Sequence, residues 1–127
     1  MISQGLRTWF VIHFVLDVLF AVPLIFAPIA FLSFFGWTTI DPLATRLVGA
    51  ALMGIGVESY LGRNAGLEAY KGMLNLKIIW SATATFGLLV TMLVNQGPWA
   101  GWLLVALFGS FCALWSYYRI RLERELD

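Results

Sequence analysis

The chain has 127 residues, 61% of them hydrophobic and 12% charged, with a mean hydropathy of +0.85 and a net charge of +1. Soluble domains carry roughly 25% charged residues, so this composition excludes a water-soluble globular fold, and the near-neutral balance excludes a general electrostatic pull on nucleic acid. Cys112 is the only cysteine, which rules out an intramolecular disulfide and a cysteine-built metal site.

The first apolar run extends from Trp9 to Phe35, longer at about 1.5 Å per helical residue than a bilayer core of roughly 30 Å requires. Pro23 and Pro28 each remove a backbone donor and crowd the preceding turn. The run therefore predicts a first span over 9–28, kinked near Pro23, and a separate segment from Ile29 to Phe35 at the outer interface. A secretory signal is the competing reading of Arg7 and the apolar stretch, but the run is too long and Ala27-Pro28-Ile29-Ala30 is a poor cleavage site. Gly36 to Asp41 reads as a short outer turn, closed by Asp41 as N-cap and Pro42 at the first helical position.

A second span follows over 43–62, then a polar connection RNAGLEAYKG over 63–72. The third span covers 73–94. Asn95-Gln96-Gly97-Pro98 is an uncharged turn that makes spans three and four an antiparallel hairpin. The fourth span covers 99–118, and the charged tail RIRLERELD prolongs its helix. The predicted fold is all-α, an antiparallel bundle of four transmembrane helices forming a single domain over 1–127.

Charge orients this plan. Arg7, Arg63, Lys71, Lys77, Arg119, Arg121 and Arg124 fall on one side and Arg46 alone on the other, a bias that predicts N and C termini in the cytoplasm and residence in the plasma or inner membrane. Trp9, Trp37, Trp99, Trp102 and Trp115, with Tyr60, Tyr117 and Tyr118, fall near span ends, where amphipathic rings favour the headgroup boundary; Trp80 lies inside. Small residues concentrate in span two (Gly49, Ala50, Gly54, Gly56), with Ser81 to Thr85 in span three and Gly109, Ser110, Ala113 and Ser116 in span four. They predict close helix packing within the protomer, with span two central, or a homo-oligomer interface.

Asp17 falls near the bilayer midplane, where a carboxylate costs about 2.5–3.5 kcal/mol to insert. His13 lies one turn towards the cytoplasm on the same face, so the two can hydrogen-bond, either as a joint between helices or as a proton relay. Glu58 and Lys77 flank the second connection at similar depth and pair, or snorkel separately to the headgroups. If all face inward, His13, Asp17, Glu58 and Lys77 line one polar pocket in the cytoplasmic half. Arg46 is placed to reach lipid phosphate at the outer face, or to close the mouth of a cavity, with Asp41 a partner only if the helix start bends back. Asn75 and Asn95 read as polar residues at the two ends of span three, and the tail's basic residues attract anionic inner-leaflet lipid.

The single histidine, and the lack of H-E-x-x-H, C-x-x-C, G-x-S-x-G and phosphate-loop motifs, argue against an enzyme and predict no cofactor and no metal. The expected partners are the lipid bilayer and a partner subunit or a second copy. Prolines closing the first span (Pro23, Pro28), the Phe35-Gly36 turn and Arg46-Leu47-Val48-Gly49-Ala50-Ala51 opening a glycine-rich second span resemble the small four-span DoxX-like and related uncharacterised membrane families. That resemblance covers the first half of the chain at most and implies an accessory subunit of a membrane oxidoreductase system or a protein of no assigned role, with no catalytic residue to carry over. The leading expectation is a membrane protein that binds a partner subunit or an apolar, lipid-like ligand between its helices. The alternatives are a proton-linked small transporter or channel using Asp17 with His13, and a membrane enzyme acting on a lipid through Asp17 and Glu58 as acid and base.

Overall fold

The computed structural model describes residues 2–94 and 96–124; Asn95 of the predicted turn and Glu125 of the tail lie outside the described residues. Helix α1 (Gln4–Phe26) opens on Ser3, whose side chain accepts the Leu6 N–H at 3.2 Å. It continues as a helix through Pro23 and breaks at Ala27 (φ −141°, ψ 58°). Ala27 precedes Pro28, and the proline ring crowds that residue out of the helical region. The short α2 (Pro28–Phe34) follows. Its carbonyls are closed by Trp37 N–H to Leu32 O at 3.1 Å and Gly36 N–H to Ser33 O at 3.0 Å. Gly36 has φ 100°, the left-handed conformation this double closure needs and glycine adopts without a Cβ clash.

Helix α3 (Pro42–Leu61) starts where the Asp41-Pro42 pair predicts, with Asp41 Oδ1 accepting from the Leu43 and Ala44 N–H groups at 2.9 and 3.4 Å. The connection after it is shorter than expected. Helix α4 (Leu67–Leu93) takes in LEAYKG from the predicted loop, because Leu67, Glu68 and Ala69 are good helix formers. Tyr70 and Leu74 are fully buried on its first turns, which offsets the roughly 1 kcal/mol that Gly72 costs inside a helix. Asn75 thus sits within α4 and not at its end. Helix α5 (Ala100–Arg124) includes the described part of the charged tail.

Among the described residues there are five helices and no strand, and three helices, not the expected four, are long and apolar enough to cross a membrane: α1, α4 and α5. Helix α3 falls short because Arg46, Glu58 and three glycines dilute its apolar content.

Ser3–Asn64 form one compact unit and the described residues from Ala65 onward form another. In the first, α3 runs antiparallel to α1: Gly56 lies against Asp17, Gly49 against Ala21 to Ile25, and Arg7 Nη1 donates to the Arg63 carbonyl. In the second, α5 runs antiparallel to α4, with Asn75 beside Arg119 and Gly101 beside Met92. Buried positions recur at three- and four-residue steps: Leu6, Phe10, His13, Asp17, Ala21 and Leu24 on α1, Gly49, Leu52, Gly56 and Ser59 on α3, and Tyr70, Leu74, Lys77 and Ser81 on α4. This is the seam of nearly parallel helix packing.

The distribution of polarity departs from that of a water-soluble protein, although the seam itself is mostly apolar. The buried set includes His13, Asp17, Ser59, Lys77 and Ser81, whereas Leu19, Phe26, Phe34, Leu43, Ile79 and Phe86 are more than half exposed. Large apolar side chains facing outward around all the long helices suit a hydrocarbon solvent, in which polar groups must find partners inside.

Candidate functional site

The residues of interest fall in three places. On α1, His13 Nε2 lies 3.3 Å from Asp17 Oδ1, with side-chain exposures of 7% and 8%. The i, i+4 spacing stacks them on one helical face, and burial keeps the pair from water. Gly56 on α3 makes room for them: a Cβ at that position would fall 2.6 Å from Asp17 Cβ and 3.3 Å from its Oδ2. Three residues on, buried Ser59 donates from Oγ to the Phe10 carbonyl at 2.7 Å. Towards the helix ends, the Phe14 and Tyr60 rings meet at 4.7 Å, and the Arg63 guanidinium lies 3.8 Å over the Tyr60 ring. Arg7 and Arg63 therefore mark one end of this hairpin.

Glu58 is exposed on α3, two residues or about 200° of helical rotation beyond Gly56. It faces away from Asp17, so the acid and base of a lipid-cleaving site do not converge. His13 and Asp17 are brought together; Glu58 is not.

Lys77 belongs to the second unit, 2% exposed, with Nζ 4.8 Å from the centroid of the Trp115 ring. Trp115, 1% exposed, stacks on Phe111 at 5.5 Å. It is a core residue of the α4–α5 seam and not the headgroup anchor its sequence position suggested; it gives the lysine an aromatic face that favours a desolvated cation. Ser81 Oγ donates to the Lys77 carbonyl at 2.7 Å. Nearby, Arg119 Nε donates to Asn75 Oδ1 at 2.9 Å and Nη1 lies 3.1 Å from Glu123, a mixed-sign cluster that ties the cationic end of α5 to α4. Exposed Trp99 and Trp102 occupy the other end.

Arg46 is exposed at the end of the first hairpin opposite Arg7 and Arg63, and its Nε donates to the Ile25 carbonyl at 3.0 Å. Asp41 is engaged in capping α3 and forms no ion pair with it.

Several polar side chains of the long helices are thus matched close by. Thr83, Thr85 and Thr91 hydroxyls donate to carbonyls of their own helix, as a hydroxyl in a helix interior does when no better acceptor is present. No group of three or more potential metal ligands exists among the described residues. Sequence reasoning missed three features: Gly56 as the seat of Asp17, Ser59 as a joint to α1, and Trp115 beneath Lys77. The signal for the first two was the seven-residue step from Gly49 to Gly56 with Ser59 three residues further, a heptad pattern hidden among the other small residues of span two. Protein-family models, curated proteins and solved structures yield no match to this chain.

Proposed function

We propose that this chain is a non-enzymatic, multi-pass membrane protein that binds a partner subunit or an apolar, lipid-like ligand through its helices. The observation that carries the reading is the distribution of polarity, with several polar groups buried among apolar ones inside and large apolar side chains facing out. Helix α3 completes four crossings: its 20 residues match a hydrocarbon core of roughly 30 Å, and it is paired along its length with α1. Within each hairpin the cations gather at the end joined by residues 62–66, and this bias supports a topology with that connection and both termini in the cytoplasm of a plasma or inner membrane. The likeness of the first half to DoxX-like accessory subunits agrees with a binding role.

Native mass spectrometry of the protein released from nanodiscs tests this. A retained lipid or a co-purifying membrane protein is expected, and a lone monomer carrying neither sinks the binding role. Labelling of single cysteines at Ala65 and Arg124, the latter exposed at the end of α5, in a Cys112→Ser background is expected to reach both from the same side.

A second reading, proton-linked transport, is favoured by one observation: the buried His13–Asp17 pair midway along α1. Asp17→Asn in reconstituted vesicles decides it, because a proton-linked flux that survives the substitution does not pass through Asp17.

A further inference from the structure

We propose that the Arg46 end of the α1–α3 hairpin binds the phosphate of a phospholipid headgroup, with one acyl chain lying along Ala50 and Gly54. This rests on the chain being embedded in a bilayer. The break at Ala27 ends the hydrogen-bond ladder of α1, and Pro28 has no N–H to offer the carbonyl four residues back, so the helix ends with carbonyls short of donors. Arg46 Nε supplies one of them at Ile25. That bond uses Nε alone, and on this exposed side chain the two terminal nitrogens carry four further N–H donors. A lysine or glutamine would cap a single carbonyl as well; a guanidinium adds a planar fork that matches phosphate oxygens in pairs.

Charge points the same way. Arg46 is the one Lys or Arg among the described residues at this end of the hairpin and runs against the orientation bias of all the others. It has no carboxylate partner among the described residues, Asp41 being turned to the α3 N-terminus. An anion from outside the chain completes it.

The shape beneath the guanidinium suits a lipid better than a free ion. Ala50 and Gly54 follow at i+4 and i+8 on the same face, about 6 and 12 Å further into the membrane. Both are exposed, and a Cβ at Gly54 would meet nothing within 4 Å. Leu47, on the same helix and 69% exposed, stands beside the outer end of this low strip. The strip is a shallow furrow leading from the cation toward the membrane interior, the shape of an acyl chain below its phosphate.

The test is titration of detergent-solubilised full-length protein with dimyristoyl phosphatidylglycerol, and separately with inorganic phosphate, read by native mass spectrometry. Wild type is expected to hold one phospholipid, Arg46→Gln to bind it about tenfold more weakly, as loss of a charge-assisted contact predicts, and Arg46→Lys to fall between. Gly54→Phe fills the furrow without touching α1. It is expected to weaken the phospholipid and leave inorganic phosphate unchanged, and it keeps the test independent of the capping role of Arg46. Equal lipid affinity across these variants overturns the proposal; inorganic phosphate binding as tightly as the lipid assigns the site to a free anion and overturns the lipid. Alkaline carbonate extraction separates the two levels of argument: release of wild type from membranes refutes the membrane reading itself, whereas retention with unaltered lipid binding in Arg46→Gln refutes only the headgroup site.

Discussion

The two hairpins solve helix association differently. In α1–α3 the backbones approach across glycine: a Cβ on Gly49 would fall 2.8 Å from Ile25 Cγ1, and one on Gly56 2.6 Å from Asp17 Cβ. In α4–α5 large side chains fill the seam, Trp115 against Phe111 and Lys77, and Trp80 edge-on to Phe108 at 6.2 Å. Gly101 does face Met92 there, but the contacting atoms are the sulfur and methyl end of a flexible chain. In a bilayer, whose tails are as apolar as leucine, neither hairpin would gain from excluding water; each would gain from close packing and internal hydrogen bonds. The first hairpin does so with little freedom to adjust, the second with side chains that can shift.

That contrast sets the order of expected mutational effects, read as unfolding free energy in mixed detergent micelles. Gly56→Val is expected to cost most, about 3 kcal/mol, because the obstruction is the stem of Asp17 and cannot swing aside. Gly101→Ala, with only the end of Met92 to move, is expected to cost less than about 1 kcal/mol; equal losses at the two glycines would break the comparison. Asp17→Leu takes the carboxylate away from buried His13 and is expected to cost about 1–3 kcal/mol. Lys77→Met removes the cation over Trp115 and is expected to cost about 1–2 kcal/mol, with a shift in tryptophan fluorescence that locates the change in the second hairpin. Ser59→Ala loses one interhelical hydrogen bond, expected at about 0.6 kcal/mol. Gly54→Leu, where nothing lies within 4 Å, is expected within about 0.5 kcal/mol of wild type; a larger loss would mean that α3 makes contacts on its outward face.

Parts of this arrangement are legible in the residues alone. Asp41-Pro42 announces the start of α3 because side-chain capping and a proline without N–H are local chemistry. The His13–Asp17 contact is legible for the same reason, since an i, i+4 pair on one helix meets whatever the helix packs against. The break before Pro28 was readable too, but Pro23 offered the same signal and the helix continues through it. One proline inside a membrane helix is tolerated where neighbouring groups satisfy the freed carbonyl. The start of α4 was misplaced because charge and glycine in RNAGLEAYKG outweighed the helix propensity of LEA.

Span two shows where such reading stops. Gly49, Ala50, Gly54 and Gly56 look alike in composition, yet Gly49 and Gly56 are buried against α1 while Ala50 and Gly54 are exposed. Only the helix across the seam separates the two pairs. Glu58 and Ser59 are adjacent in sequence and opposite in fate, exposed and buried, on the same account.

Amino-acid order was enough to indicate an all-helical chain with helices apolar enough to cross a membrane, and most of their punctuation, because hydropathy, proline geometry and capping act over a few residues or through bulk composition. Tertiary structure decided which small residues form the α1–α3 seam, that Lys77 rests on Trp115, and that Arg46 closes the end of α1. Those outcomes depend on the rotation and register of one helix against another, and a helix whose faces are all apolar carries no periodic mark of which face its neighbour will take.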